Sequence, residues 1–103
     1  MQALMMDRPL TLPSILEYAA QYHPDRQVVD RMVEGPIHRY GYAAALARTK
    51  RMANALIALG VKPGDRVATL AWSTHRHFEL YFAVTGIGAV LHTINPRLHA
   101  DQI

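Results

Sequence analysis

The chain has no cysteine in its 103 residues. Disulfides, a thiolate nucleophile and every cysteine-ligated zinc site are therefore excluded, and a reducing compartment fits the absence. Charge is sparse too: 18% of the residues are charged, 11 basic against 8 acidic, for a net +3 and a pI near 9.6. The basic residues are scattered, with Lys50-Arg51 the longest uninterrupted pair. Nucleic-acid binders gather positive charge on one face, so no nucleic-acid partner is expected. Long hydrophobic runs are missing as well. The longest apolar-rich stretch, Leu80 to Leu91, is broken by Thr85, Gly86 and Gly88, whereas a membrane span needs about 18 or more apolar residues. The opening Met1-Gln2-Ala3-Leu4-Met5-Met6 reaches Asp7 before a secretory hydrophobic region forms. A soluble, cytoplasmic protein is the expectation.

Several catalytic signatures are also lacking. No Walker-type G-K-[ST] occurs. Gly86-x-Gly88 has Leu91 at the third glycine position, and it follows a helix and precedes a strand, the reverse of the dinucleotide-binding order. Ser14 and Ser73 are outside any G-x-S-x-G setting, so there is no nucleophile elbow. What the chain does have is core material. Hydrophobic residues make up 50% of it, which sets it apart from disordered chains. The length is enough for one small domain and too short for two.

Periodicity organises that domain. The first eleven residues read as an arm punctuated by Pro9. A helix starts at Pro13, carries Ile15, Leu16, Ala19, Ala20 and Tyr22 at helical spacing, and stops at His23-Pro24-Asp25. Gln27 to Val33 alternates, with Val28, Asp30 and Met32 against Val29, Arg31 and Val33; Glu34-Gly35-Pro36 turns the chain into a returning strand, Ile37 to Tyr40. The strongest helical pattern runs from Tyr42 to Leu59. Its apolar half holds Tyr42, Ala45, Leu46, Met52, Ala53, Leu56, Ile57 and Leu59, while Arg48, Lys50, Arg51 and Asn54 form a solvated half. Met52 and Leu56 are expected to pack on a sheet. Gly60 stands at the C-terminal cap, and Lys62-Pro63-Gly64-Asp65 forms a turn.

Arg66 to Ala71 reads as a strand, and Ser73 or Thr74 caps a helix running to Thr85. That helix is apolar nearly all round, through Phe78, Leu80, Tyr81, Phe82 and Val84. Ala89 to Ile94 is a second apolar strand. Strand, helix and strand make a parallel, right-handed βαβ unit. Leu98 to Ile103 reads as a first helical turn that lacks a stop signal. Parallel sheets expect cover on both faces, so the pattern looks like the opening of a larger α/β domain. Exposed strand edges and an uncovered sheet face make self-association or a homodimer the expectation for such a chain alone.

The histidines invite a metal reading. In a helix, His75 and His77 point to opposite sides, which is poor geometry for holding one ion. His75 and Glu79 share a face but lack the second histidine of H-E-x-x-H, and His92 and His99 lie elsewhere. Solvated or hydrogen-bonded histidines at a helix start are the expectation, with no metal site. Trp72, at a strand end, is expected to pack in the core. No residue set amounts to a self-sufficient active site.

Three runs nevertheless carry a family likeness. They are Gly60-Val61-Lys62-Pro63-Gly64-Asp65-Arg66-Val67-Ala68, then Trp72-Ser73-Thr74-His75-Arg76-His77 with Tyr81-Phe82-Ala83-Val84, and then Gly88 through His92-Thr93-Ile94-Asn95-Pro96-Arg97-Leu98. Together they resemble the N-terminal part of AMP-forming acyl-CoA synthetases, the carboxylic acid–CoA ligases of the adenylate-forming superfamily. The likeness covers about Leu12 to Ile103 and is greatest to medium- and long-chain fatty acid ligases and 3-(methylthio)propionate–CoA ligases. The Glu34–Tyr40 hairpin leans toward the last of these.

The resemblance implies a two-step reaction. ATP and a carboxylic acid give acyl adenylate and pyrophosphate, with Mg2+ screening the phosphates, and the CoA thiol then displaces AMP. It also implies an α/β fold: a hairpin, a long helix and a parallel βαβ unit from the layered large domain. Residues 1–11 would be an arm and 12–103 part of the AMP-binding domain, truncated at its C-terminal end. The family's Thr/Ser/Gly-rich loop ending in Pro-Lys-Gly, its acidic ATP motifs, its ribose-binding aspartate and its lysine-bearing C-terminal domain match nothing here. No catalytic, cofactor-binding or metal residue carries over, and the 103 residues alone are expected to be inactive. Asn95-Pro96-Arg97 sits where α/β sites form, at a strand's carboxyl end, but receives no binding role. The alternative is a free-standing small α/β nucleotide-binding or dimerising module without catalysis.

Overall fold

The computed structural model describes residues 5–103; Met1 to Leu4 of the expected arm lie outside the described residues. Helix α1 spans Leu12–Tyr22, strands β1 and β2 span Gln27–Arg31 and Ile37–Gly41, and helix α2 spans Tyr42–Ala58. Strand β3 (Arg66–Leu70), helix α3 (His75–Gly86) and strand β4 (Val90–Ile94) follow, and then a 3-10 turn, Ala100–Gln102. The expected α/β architecture is present. β1 and β2 form an antiparallel hairpin, and β3 pairs in parallel with β4 through the α3 crossover.

Local chemistry sets the boundaries. α1 opens with a proline in its first turn. At the start of α2 no side chain caps the helix; instead the carbonyls of Arg26 and Pro24 accept from the N–H groups of Tyr42 (3.0 Å) and Ala43 (3.3 Å). These are donors that a helix cannot satisfy within itself. The loop must approach closely to supply those carbonyls, and Gly41 makes the room. A Cβ at residue 41 would stand 2.6 Å from the Pro24 carbonyl oxygen. Gly41→Ala is therefore expected to cost about 1–3 kcal/mol through overpacking, read as a lowered midpoint in a thermal melt. An unchanged midpoint would show that the loop yields freely.

Both long helices end in the same way. Gly60 has φ +95°, and its N–H donates to Ile57 while that of Val61 donates to Leu56. This is the Schellman pattern, in which the residue after the glycine packs back on the helix, and Val61 does join the core around Leu56. Gly88 repeats the pattern after α3, with bonds from Gly88 to Thr85 and from Ala89 to Val84.

The main core gathers Leu56, Ala83, Val84 and Ala89, with Met52, Leu80, Val67 and Leu91 packed on them. Leu56 and Met52 thus join a core shared by α3, through Ala83 and Val84, and the sheet, through Val67 and Leu91. Leu16 of α1 is buried as well. The apolar half read for α2 needs correcting at its end. Leu59 is 81% exposed and Ile57 is also exposed, while Thr49 is buried. The buried stripe turns toward α1 and α3, which takes Thr49 in and leaves the last turn out. The other face of β3–β4 is open, with Leu70 and Val90 exposed. At the C-terminal end the expected α-helical turn is a 3-10 turn, held by the His99 side chain accepting from the Asp101 N–H.

Candidate functional site

The polar residues of this chain collect at the N-terminal end of α3. Although α3 was expected to bury its apolar residues all round, the side chains it buries deepest include His75, His77 and Glu79. Tyr81 is exposed, and Phe78, Leu80 and Phe82 are only partly buried. Thr74 is the N-cap residue, without a side-chain capping bond.

His75 and Glu79, one turn apart, face the hairpin and α2. Asp30 and His38 are direct cross-strand partners in the hairpin. His38 Nδ1 donates to Asp30 Oδ1 at 3.1 Å, and His75 Nδ1 donates to Asp30 Oδ2 at 3.2 Å. The two imidazoles stack with centroids 3.7 Å apart and planes inclined by 20°. Tyr40 stands edge-on to His38 at 4.8 Å. Burial pushes the Asp30 carboxyl up, but hydrogen bonds from the His75 backbone and side chain and from His38 outweigh it, and the net shift is downward.

Glu79 is 1% exposed. Its Oε1 accepts from Tyr40 Oη at 3.0 Å and from Arg48 Nε at 2.6 Å. A carboxylate this deep requires a charged partner, and Arg48, on the exposed half of α2 as expected, supplies it. Its guanidinium folds from α2 onto α3 with part of its surface still in water. Burial, then the Glu79 carboxylate, raises the Tyr40 phenol above its usual value. The bond to Glu79, then its charge, raises Arg48. His77, on the far side of α3, shares a 2.9 Å hydrogen bond with Thr69 of β3.

His75 and His77 therefore serve different neighbours, as their helical spacing requires. Both are hydrogen-bonded, as expected, but buried and not solvated. His92 and His99 stay exposed and apart. Asp30 and His38 were not singled out from the sequence; their signal was the hairpin itself, whose register sets them opposite each other on the side of Val28 and Met32.

A cleft of about 280 Å³ opens beside this cluster, between β1 and the start of α3, and Asp30, Ser73, Thr74 and His75 line it. At the carboxyl ends of β3 and β4, Trp72 is 47% exposed and not a core residue. The Arg97 guanidinium lies 5.5 Å over its ring, and Asn95 Oδ1 accepts from the Arg97 N–H at 3.0 Å. The parallel pairing thus brings Trp72 to the Asn95–Arg97 loop.

Nucleotide phosphates do not fit the glycine pair. Gly86 and Gly88 lie at the C-terminal end of α3, where the helix dipole is negative, and Pro63 covers Gly88.

The model of the AMP-binding enzyme family matches residues 16–103. The chain belongs to this family. A long-chain-fatty-acid–CoA ligase of Thermus thermophilus is 50% identical over 99 residues, which cover 96% of this chain and 18% of the relative. A 3-methylmercaptopropionyl-CoA ligase of Ruegeria lacuscaerulensis is 42% identical over the same shares. The chain thus spans about 18% of the length of these curated relatives. The fold agrees: the N-terminal domain of FACL13 from Mycobacterium tuberculosis superposes with a TM-score of 0.81 at 32% identity, over 91% of this chain and 24% of that one. A putative long-chain-fatty-acid CoA ligase from Rhodopseudomonas palustris gives 0.76 at 40% identity, over 90% and 23%. The hairpin, α2 and the βαβ unit all lie within the matched residues. Among the described residues no helix is long and apolar enough to cross a membrane.

Proposed function

We propose that this chain is the N-terminal part of a cytoplasmic, ATP-dependent ligase that joins a carboxylic acid to CoA through an acyl adenylate. The observation that carries the proposal is the family match over residues 16–103 on a fold shared with ligase N-terminal domains. Names of the relatives support a fatty acid or a methylthiopropionate-like acid as substrate. ATP, Mg2+ and CoA are the cofactors of the whole enzyme on this reading. No step of the chemistry is assigned to these residues.

Their contribution is architectural. The Arg48–Glu79–Tyr40 and Asp30–His38–His75 sets lock the hairpin and α2 onto α3. That fixes the carboxyl ends of β3 and β4, the edge of an α/β sheet where ligand sites form. The open outer face of β3–β4, bearing Leu70 and Val90, supports cover by further strands, or self-association of the chain by itself.

The test is a transplant. Residues 5–103 replace the matching segment of the Thermus thermophilus relative, and pyrophosphate release is followed with ATP, Mg2+, CoA and octanoate. The chimera is expected to release pyrophosphate in an acid-dependent manner, and the 103-residue chain alone to stay at background. A folded but inactive chimera, or an active isolated chain, would overturn the reading.

A further inference from the structure

Three donor groups converge where the hairpin meets α3. Asp30 comes from β1, His38 from the opposite position on β2, and His75 from the first residue of α3. One ligand atom from each lies within 4.8 Å of the other two. His38 Nδ1 lies 3.1 Å from Asp30 Oδ1 and His75 Nδ1 lies 3.2 Å from Asp30 Oδ2, so each imidazole meets its own carboxylate oxygen. A turn of the carboxylate would bring one oxygen and the two nitrogens toward the edge of about 3.3 Å of a tetrahedron with metal–ligand bonds of about 2.0 Å. We propose that Asp30, His38 and His75 bind a divalent transition metal of the zinc type.

The donor chemistry selects the metal class. Two imidazole nitrogens and one carboxylate suit zinc, cobalt or nickel, whereas magnesium and calcium take oxygen shells. This site is therefore separate from the magnesium that accompanies ATP, and it does not depend on the ligase reading. Three protein ligands leave a fourth position. Asp30 and His75 line the cleft beside Ser73 and Thr74, so a water can reach that position.

Burial decides which ligand adjusts. The stacked rings hold their Nδ1 lone-pair directions in nearly parallel planes, 3.7 Å apart at the centroids. To converge on one ion the rings must fan apart. The His75 side chain is 5% exposed and fixed by its helix, whereas that of His38 is 30% exposed and has room to turn. Coordination through Nδ1 leaves each neutral ring with its proton on Nε2. The ion then replaces two hydrogen bonds with three bonds that tie β1, β2 and α3 together.

The experiment is a titration of the 103-residue chain with Co2+ and then Zn2+, in the presence of millimolar Mg2+. One equivalent of Co2+ is expected to bind, with the intense visible bands of a four-coordinate site, and Zn2+ to bleach them. His38→Gln and Asp30→Asn are each expected to weaken binding at least about tenfold, and His92→Gln and His99→Gln to leave it unchanged. Circular dichroism establishes that each variant is folded, and His38→Gln, at a partly exposed strand position, covers the case where Asp30→Asn is not. Absence of saturable binding, binding that survives His38→Gln, or binding lost on changing His92 or His99 would overturn the site.

Discussion

Arg48→Ala is expected to lower the unfolding free energy by about 3 kcal/mol, and Arg51→Ala by less than about 0.5 kcal/mol. The two arginines stand three residues apart on the same helix and look alike in the sequence. Only Arg48 reaches Glu79, at 2.6 Å. Removing it leaves a carboxylate that is 1% exposed with Tyr40 as its remaining partner, and an uncompensated buried charge is among the costliest defects a fold can carry. The figure sits at the low end of the range because the Arg48 side chain is 44% exposed, so water screens part of the pair. Urea denaturation of the single variants measures the difference. Glu79→Gln in the Arg48→Ala background separates charge from packing: it should restore part of the loss, since the amide still accepts from Tyr40 but needs no cation. Equal midpoints for Arg48→Ala and Arg51→Ala would mean that the pair contributes nothing.

That contrast also marks how far the sequence was legible. Helices, strands and their order follow from patterns within a few residues, and so they were readable. The α2 apolar stripe, the glycines that end α2 and α3, the Glu34–Pro36 turn and the parallel βαβ unit were all readable in this way. The resemblance to acyl-CoA synthetases was readable for the same reason, as it rests on contiguous runs. The polar cluster is different. Glu79 finds Arg48 across 31 residues and Tyr40 across 39, and no periodicity encodes such a pairing. A helical wheel puts Arg48, Lys50 and Arg51 alike on the solvent side, and all three are exposed, but it cannot show that Arg48 also reaches back to Glu79. It also extends the apolar half through Ile57 and Leu59, which are exposed, because a wheel does not show where the packing against neighbouring elements stops. Trp72 failed for a related reason: its ring finds Arg97, which only the pairing of β3 with β4 brings alongside.

Leu56→Ala carries the other large effect, a loss of about 2–5 kcal/mol. Leu56 lies in the cluster with Ala83, Val84 and Ala89, and Val61 of the C-terminal cap packs there too. Truncation removes the methyl groups that fill this junction. Ala83 and Ala89 have no side chain to extend and Val84 is wholly buried, so only side chains at the edge of the cluster, such as Met52 and Leu80, can move in. Collapse is partial, and the cavity term adds to the lost transfer energy. Ile57→Ala, one residue along, removes as many carbon atoms from an exposed position and should cost less than about 0.5 kcal/mol. Coupling distinguishes packing on α3 from packing on the sheet. Leu56→Ala and Val84→Ala should be non-additive, with an interaction energy of about 0.5–3 kcal/mol, as residues that share a cavity are. Leu56→Ala and Leu70→Ala should add, since Leu70 lies on the open face of β3. Thermal and urea midpoints of the singles and doubles read this directly. Additive losses for Leu56 and Val84 would move the main contact of α2 off α3.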